Sequence, residues 1–329
     1  MRLASLAILG LIAVGAPAAA APQGPKLAFP LACVIGKTCE VQNYVDRDPG
    51  PGVKDYRCGH RTYEGHTGVD LRIADMAAQR RGVDVLAAAA GRVVRLRDGV
   101  TDISIRAPGA PPVTGQECGN AVVIDHGDGW ETQYCHLARG SIRVKVRDSV
   151  AAGAPIARVG LSGATEFPHL HLTVRHGGAI VDPFAADPAQ AGACGARLTS
   201  LWDPGALRQM GYRAGAVLNA GFAGGPLTME NIEAGAIPPP SATSAYVVAY
   251  VRAIGLEAGD EIELVLSGPG GGVLATDRQK PLDRDKAQYF SLVGRKRPPA
   301  GWSHGTYSGL YRVHRNGAVT IERRFAAVL

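Results

Sequence analysis

Between residues 60 and 185 the chain is cut into short apolar runs separated by turn-forming residues, which leaves little room for long helices. Val83–Leu86, Gly91–Leu96, Ala121–Asp125, Trp130–His136 and Ile142–Val146 are each of strand length and rich in β-branched residues. The Asp128-Gly129 pair between two of them predicts a tight hairpin. With 43 glycines, 22 prolines and 6% aromatic residues, the composition favours short strands joined by many turns over a helical bundle. The expected fold class is therefore mainly β, built from antiparallel sheets.

A length of 329 residues suggests two domains. After Cys194, residues 219–244 are rich in Gly, Ala and Pro, including Pro238-Pro239-Pro240, and read as a connection or edge region. Alternating strands follow at Tyr246–Val251, Glu261–Leu266, Tyr289–Val293 and Tyr307–Val313, and Asn316-Gly317 turns into Val319–Phe325. This spacing predicts an immunoglobulin-like β-sandwich with a binding or structural role. Its His304 and His314 are isolated residues. The expected organisation is a signal peptide at 1–20, an irregular lead-in at 21–58, a motif-bearing domain at 59–195 and a C-terminal sandwich at 196–329.

Arg2, the apolar run Leu3–Val14 and the small residues Ala16–Ala21 form the three parts of a secretory signal. The run is too short to span a bilayer, so no retained membrane span is expected. The chain is expected to be exported, to the periplasm or the extracellular space. Six cysteines, Cys33, Cys39, Cys58, Cys118, Cys135 and Cys194, suit an oxidising compartment and predict three disulfides. None forms a C-x-x-C pair, and their connectivity is open. A net charge of +6 favours anionic surfaces, and no nucleic-acid motif accompanies it.

The chemistry-bearing residues fall into three motifs: His66-Thr-Gly-Val-Asp70, Tyr134-Cys-His136-Leu and Pro168-His169-Leu-His171. Residues two apart on a strand share a face, so His169 and His171 can approach one ion or its substrate. On a straight strand His66 and Asp70 would lie about 13 Å apart. A turn at Gly68 is needed to bring them together. Jointly the motifs supply three candidate ligands for one metal ion and two spare imidazoles, the set that metal-assisted hydrolysis requires. His60, His126 and His176 lie outside the motifs, and Tyr63, Trp130 and Tyr134 are candidates for groove lining or for strand packing.

Together with Gly119–Gly129 and Val150–Ile156, these motifs resemble the lysostaphin and LytM-type zinc endopeptidases, cell-wall hydrolases whose β-sheet groove is called the duplicated hybrid motif. The resemblance spans about residues 60–185, in the family's order and spacing, and leaves out the lead-in and the C-terminal domain. It implies one Zn2+ held by His66, Asp70 and His171, with His136 and His169 as catalytic histidines whose division of labour is open. Three protein ligands leave a fourth position for water, the mark of a catalytic zinc site. The implied function is a secreted or periplasmic zinc metalloendopeptidase acting on the peptide stems or cross-links of peptidoglycan.

The alternative is a non-hydrolytic wall-binding regulator of another hydrolase, with a protein partner on the C-terminal domain; the complete ligand set counts against it. A protease of Gly-rich proteins is a second alternative, and coverage of the groove by the lead-in or C-terminal domain would modify the first reading. Cys135, Phe167 and Leu172-Thr173 depart from the family pattern and bear on groove shape. Cys135 is expected to be a disulfide partner bracing the strand of His136 rather than a free thiol.

Overall fold

The structure, a computed structural model, describes residues 24–195 and 198–329, so the expected signal peptide at 1–20 lies outside the described residues. The first half contains β1 (Cys39–Asn43), β2 (Val69–Ile73), α1 (Met76–Arg81), β3 (Asp84–Leu86), β4 (Gly91–Arg97), β5 (Asn120–Gly127), β6 (Trp130–Leu137), β7 (Ser149–Val150), β8 (Pro155–Arg158), β9 (His169–His176) and β10 (Ala179–Val181). Its main sheet is antiparallel, in the order β1-β2-β9-β6-β5-β4-β7, with β10 added to β9. A separate ribbon pairs β3 with β8.

The hairpin between β5 and β6 turns through Asp128 (φ 49°) and Gly129 (φ 78°), both left-handed as a type I′ turn demands. Val122, Ile124, Tyr134, Leu170 and Leu172 are fully buried on the central strands. Tyr134 and Trp130 are packing residues: the Tyr134 hydroxyl accepts from Ala88 N at 2.7 Å, and Trp130 is stacked on His176.

The segment before residue 58 is less irregular than its composition predicts. It supplies the edge strand β1, and Leu27, Leu31, Tyr44 and Tyr56 enter the main core. Glu40 and Gln42 alternate with the core residues Cys39 and Val41 like the outward residues of a half-exposed strand, yet they too are buried, because the second half of the chain covers them. Ile142–Val146, expected as a strand, forms none. Ile142 and Val144 pack against the core, but the segment makes one backbone bond across, Arg143 N to Ile156 O, and no ladder.

After α2 (Pro204–Gln209) come β11 (Ala216–Ala223), α3 (Met229–Ala234), β12 (Tyr246–Leu256), β13 (Glu261–Ser267), β14 (Val273–Arg278), β15 (Lys286–Lys296), β16 (Thr306–Arg315) and β17 (Ala318–Val328). These strands divide into the antiparallel sheets β11-β12-β15 and β14-β13-β16-β17. Val247, Ala249 and Val251 of one bury against Leu264, Leu266, Tyr311 and Val313 of the other, the two-sided core of a sandwich. The Asn316-Gly317 hairpin forms between β16 and β17 as predicted.

Three disulfides link Cys33 to Cys39, Cys58 to Cys194 and Cys118 to Cys135. Among the described residues no helix is long and apolar enough to cross a membrane.

Candidate metal and catalytic centre

Strands β2 and β9 pair so that Asp70 and His171 stand directly opposite each other, and His171 also faces Cys135 of β6. His66 precedes β2, at the end of a turn in which Gly65 has φ 71° and His66 N donates to Tyr63 O. With the chain bent between them, His66 Nε2 lies 3.2 Å from Asp70 Oδ1 and 3.1 Å from His171 Nδ1. His171 Nδ1 is 2.9 Å from the same Asp70 oxygen.

Two imidazole nitrogens and one carboxylate oxygen thus form a nearly equilateral triangle. Ligands around a tetrahedral zinc are separated by about 3.3 Å, so the set fits one ion with only slight expansion. The outer atoms of each ligand are fixed as a metal site needs. His66 Nδ1 donates to Tyr44 O at 2.6 Å, His171 Nε2 meets Thr173 Oγ1 at 3.0 Å, and Asn43 Nδ2 donates to Asp70 Oδ2 at 2.9 Å.

The chain bends at Gly68, between His66 and Asp70, as the sequence predicts. The glycine does so without a positive φ and also leaves space, because a Cβ there would stand 2.5 Å from His171 Nε2 and 2.7 Å from Leu172 O.

His136 and His169 complete the cluster, their ring centroids 4.6 Å apart. His136 lies near the end of β6, with a left-handed φ of 60°, an uncommon conformation for a residue with a Cβ. Its Nδ1 donates to Ser162 O at 2.8 Å. His169 Nδ1 donates to Phe167 O at 3.0 Å with Thr165 Oγ1 at 3.1 Å, and its Nε2 is 3.4 Å from Asp70 Oδ1. A carbonyl acceptor at Nδ1 demands a proton there, so in its neutral form His136 keeps a bare Nε2, while the Nε2 of His169 is turned to the Asp70 carboxylate.

Burial sets the electrostatics. It disfavours the charged form of Asp70, but His66 and His169 outweigh it and hold the carboxyl well below the usual carboxylate range. Burial likewise pulls His66 down, and Asp70 overcomes this to leave it raised. Burial, with His169 and His171 beside it, holds His136 well below an ordinary histidine. Burial also lowers His171 against the pull of Asp70.

Asp70, His136 and His169 line a cleft of about 570 Å³. Phe167, a departure from the family pattern, forms part of its wall and lies 3.6 Å under the Arg72 guanidinium. Tyr63 is half exposed at the mouth, its ring 4.4 Å from that of His66. The other histidines stay outside: His126 bonds Ala90 O and Thr132 Oγ1, His60 bonds Asp285, and His304 and His314 lie in the sandwich. The sequence motifs did not single out Asn43, Thr173 as a partner of His171, or the carbonyls of Tyr44 and Ser162. Thr173 alone carries a signal, since it follows the H-x-H pair on the same strand face.

The family model for peptidase family M23 matches residues 64–183. That stretch is an M23 peptidase domain. All five residues of the cluster fall inside it. The M23 domain is similar to the cell division protein DipM of Caulobacter vibrioides, at 39% identity over 72 residues, which is 22% of this chain and 12% of that protein. It is also similar to the DD-carboxypeptidase/endopeptidase Mpg of Neisseria meningitidis, at 34% identity over 122 residues, 37% of this chain and 23% of Mpg. The matches therefore span under a quarter of either relative. Among solved structures, the catalytic domain of lysostaphin from Staphylococcus simulans aligns with 43% of this chain and 85% of its own, at 23% identity and a TM-score of 0.28.

Proposed function

We propose that the protein is an exported zinc metalloendopeptidase that hydrolyses the peptide cross-links of peptidoglycan. His66, Asp70 and His171 hold the zinc, and His136 and His169 are the catalytic histidines. The observation that carries this reading is the convergence of five side chains from β2, β6, β9 and the turn before β2, with three donor atoms within 3.2 Å of one another. A relative named for DD-carboxypeptidase and endopeptidase activity supports peptide bonds of the wall as substrate. Three disulfides support export, since such bonds persist in oxidising compartments. The domain division follows the same reading: catalysis in the 59–195 unit, with the lead-in as part of its core, and the 196–329 sandwich beside it.

Bound zinc supplies the Lewis acidity that makes water nucleophilic near neutral pH and polarises a carbonyl. The rest belongs to the chain. His136 and His169 present their Nε2 atoms to the cleft, each ring oriented by its Nδ1 bond. One accepts the proton of the attacking water, and the other, once protonated, stabilises the oxyanion or donates to the leaving amine. Asp70 spans both tasks, as a ligand and as the carboxylate 3.4 Å from His169 Nε2.

The test is release of soluble muropeptides from purified peptidoglycan by the full chain, with and without a zinc chelator, beside His169→Ala. Release that depends on both metal and His169, with products identified by mass, is the expected result. Zinc-loaded protein that binds the wall but releases nothing would replace this reading with the regulator.

A further inference from the structure

The cleft over the M23 centre is not built by the M23 domain alone. Its far wall consists of Met229, at the start of α3, and residues 284–288, which lead into and begin β15 of the sandwich. Two bonds from the catalytic side fix that wall. Gln42 Nε2, on β1, donates to Ala287 O at 3.0 Å, and His60 Nδ1 lies 2.8 Å from Asp285 Oδ2. Asp285 Oδ1 also accepts from Ala258 N at 2.8 Å, so the segment is held from both units.

The charges lining the cleft are almost all matched. Arg72 is bonded to Glu233 and Gln42, Arg106 to Glu166 at 2.7 Å, Asp285 to His60, and Lys286 to Asp283 at 2.6 Å. Arg284 is the exception: it lines the cleft, is exposed, and makes no hydrogen bond or ion pair among the described residues. An unmatched guanidinium on an anchored backbone, facing a peptide groove, is suited to a planar anion.

We propose that Arg284 is a specificity-determining residue contributed by the sandwich, which binds a free carboxylate of the substrate peptide and so selects acidic cross-links over neutral ones. This rests on the hydrolase reading above and deepens it. It also gives the sandwich a part in the reaction, as one side of the substrate site.

The experiment compares two synthetic cross-linked stem peptides, one with free carboxylates and one with the same groups as carboxamides. Cleavage is measured with the full-length protein, Arg284→Ala and Arg284→Lys, and binding by calorimetry with the same substitutions in a His169→Ala background. One charge-assisted hydrogen bond at a partly exposed site predicts about a tenfold preference for the free-carboxylate peptide, in kcat/KM and in Kd. The preference falls to near one in Arg284→Ala and is intermediate in Arg284→Lys. Equal values for the two peptides with the full-length protein, or a preference that survives Arg284→Ala, overturns the proposal. If neither peptide is cleaved, the hydrolase reading fails and the Kd ratio alone decides the role of Arg284; binding of neither peptide overturns both.

Discussion

Arg72 Nη2 of β2 bonds Glu233 Oε2 of α3 at 2.6 Å, and the same oxygen receives Arg252 Nη1 of β12. One carboxylate therefore ties the strand that carries Asp70 to the sandwich, between two guanidinium groups that are both fully buried. Such a triad is weak evidence of net stabilisation, but breaking it is costly, since each arginine is left charged in a low-dielectric setting. Glu233→Ala is expected to lose about 3–5 kcal/mol of unfolding free energy. Urea denaturation measures it, and a loss below that of ordinary surface substitutions would show that water already solvates the triad.

The close approach at Gly68 yields a prediction about the metal. Gly68→Ala places a methyl group 2.5 Å from His171 Nε2 and 2.8 Å from its Cε1, so the ring must move out of the triangle with Asp70 and His66. Disturbing a ligand's support in this way lowers metal affinity by about 10–100-fold. Competition with a chromophoric chelator reads the zinc affinity directly. An unchanged affinity would mean that β2 shifts as a unit and preserves the site.

Cys118 is joined to Cys135, the residue before His136 and opposite His171. The bridge closes a loop of 17 residues and holds β6 where His136 takes its left-handed backbone. Replacing both cysteines by alanine is expected to cost about 3 kcal/mol of stability. The native protein should show no thiol reactive to Ellman's reagent until unfolded and reduced, because no described cysteine is free. A reactive thiol in the native state would contradict the pairing.

The parts of this molecule legible in the sequence are those whose partners are local. Asp128-Gly129 and Asn316-Gly317 announce their hairpins because a type I′ turn needs left-handed residues at both central positions. His169 and His171 announce a shared face because strand geometry allows nothing else. His66 and Asp70 were harder: the need for a bend at Gly68 was readable, but the room that the same glycine leaves for His171 was not. The burial of Glu40 and Gln42 on β1 was hidden, because they read as solvent-facing, whereas Arg213 and Ala287, far along the chain, cover them. Arg72 reads as a surface charge for the same reason, since its partner Glu233 is 161 residues away. The wall that Arg284 gives to the cleft likewise arises only where the two units meet.

Asp182 gives the protein a pH-dependent weakness away from the histidine cluster. Its side chain is 5% exposed, Oδ1 accepts from Phe184 N at 2.9 Å, and Oδ2 has only Arg47 Nε at 3.8 Å. Burial dominates the Phe184 bond and the Arg47 charge, and pushes the carboxyl up to about 6. Below the unfolded value near 4 the group is protonated in both states and costs nothing. As pH rises from there to about 6, the folded state keeps a proton that the unfolded state releases, and stability falls. Above this window the full cost, about 2–3 kcal/mol, is present. Asn at this position keeps an acceptor for Phe184 N and cannot ionise, so Asp182→Asn should gain on the native protein between pH 4 and pH 7. Any steric or Arg47-related cost of the amide does not vary with pH and cancels in the comparison. Unfolding free energies of the two proteins at both pH values measure the gain, and a pH-independent difference would falsify the assignment of a buried, poorly paired carboxyl to Asp182.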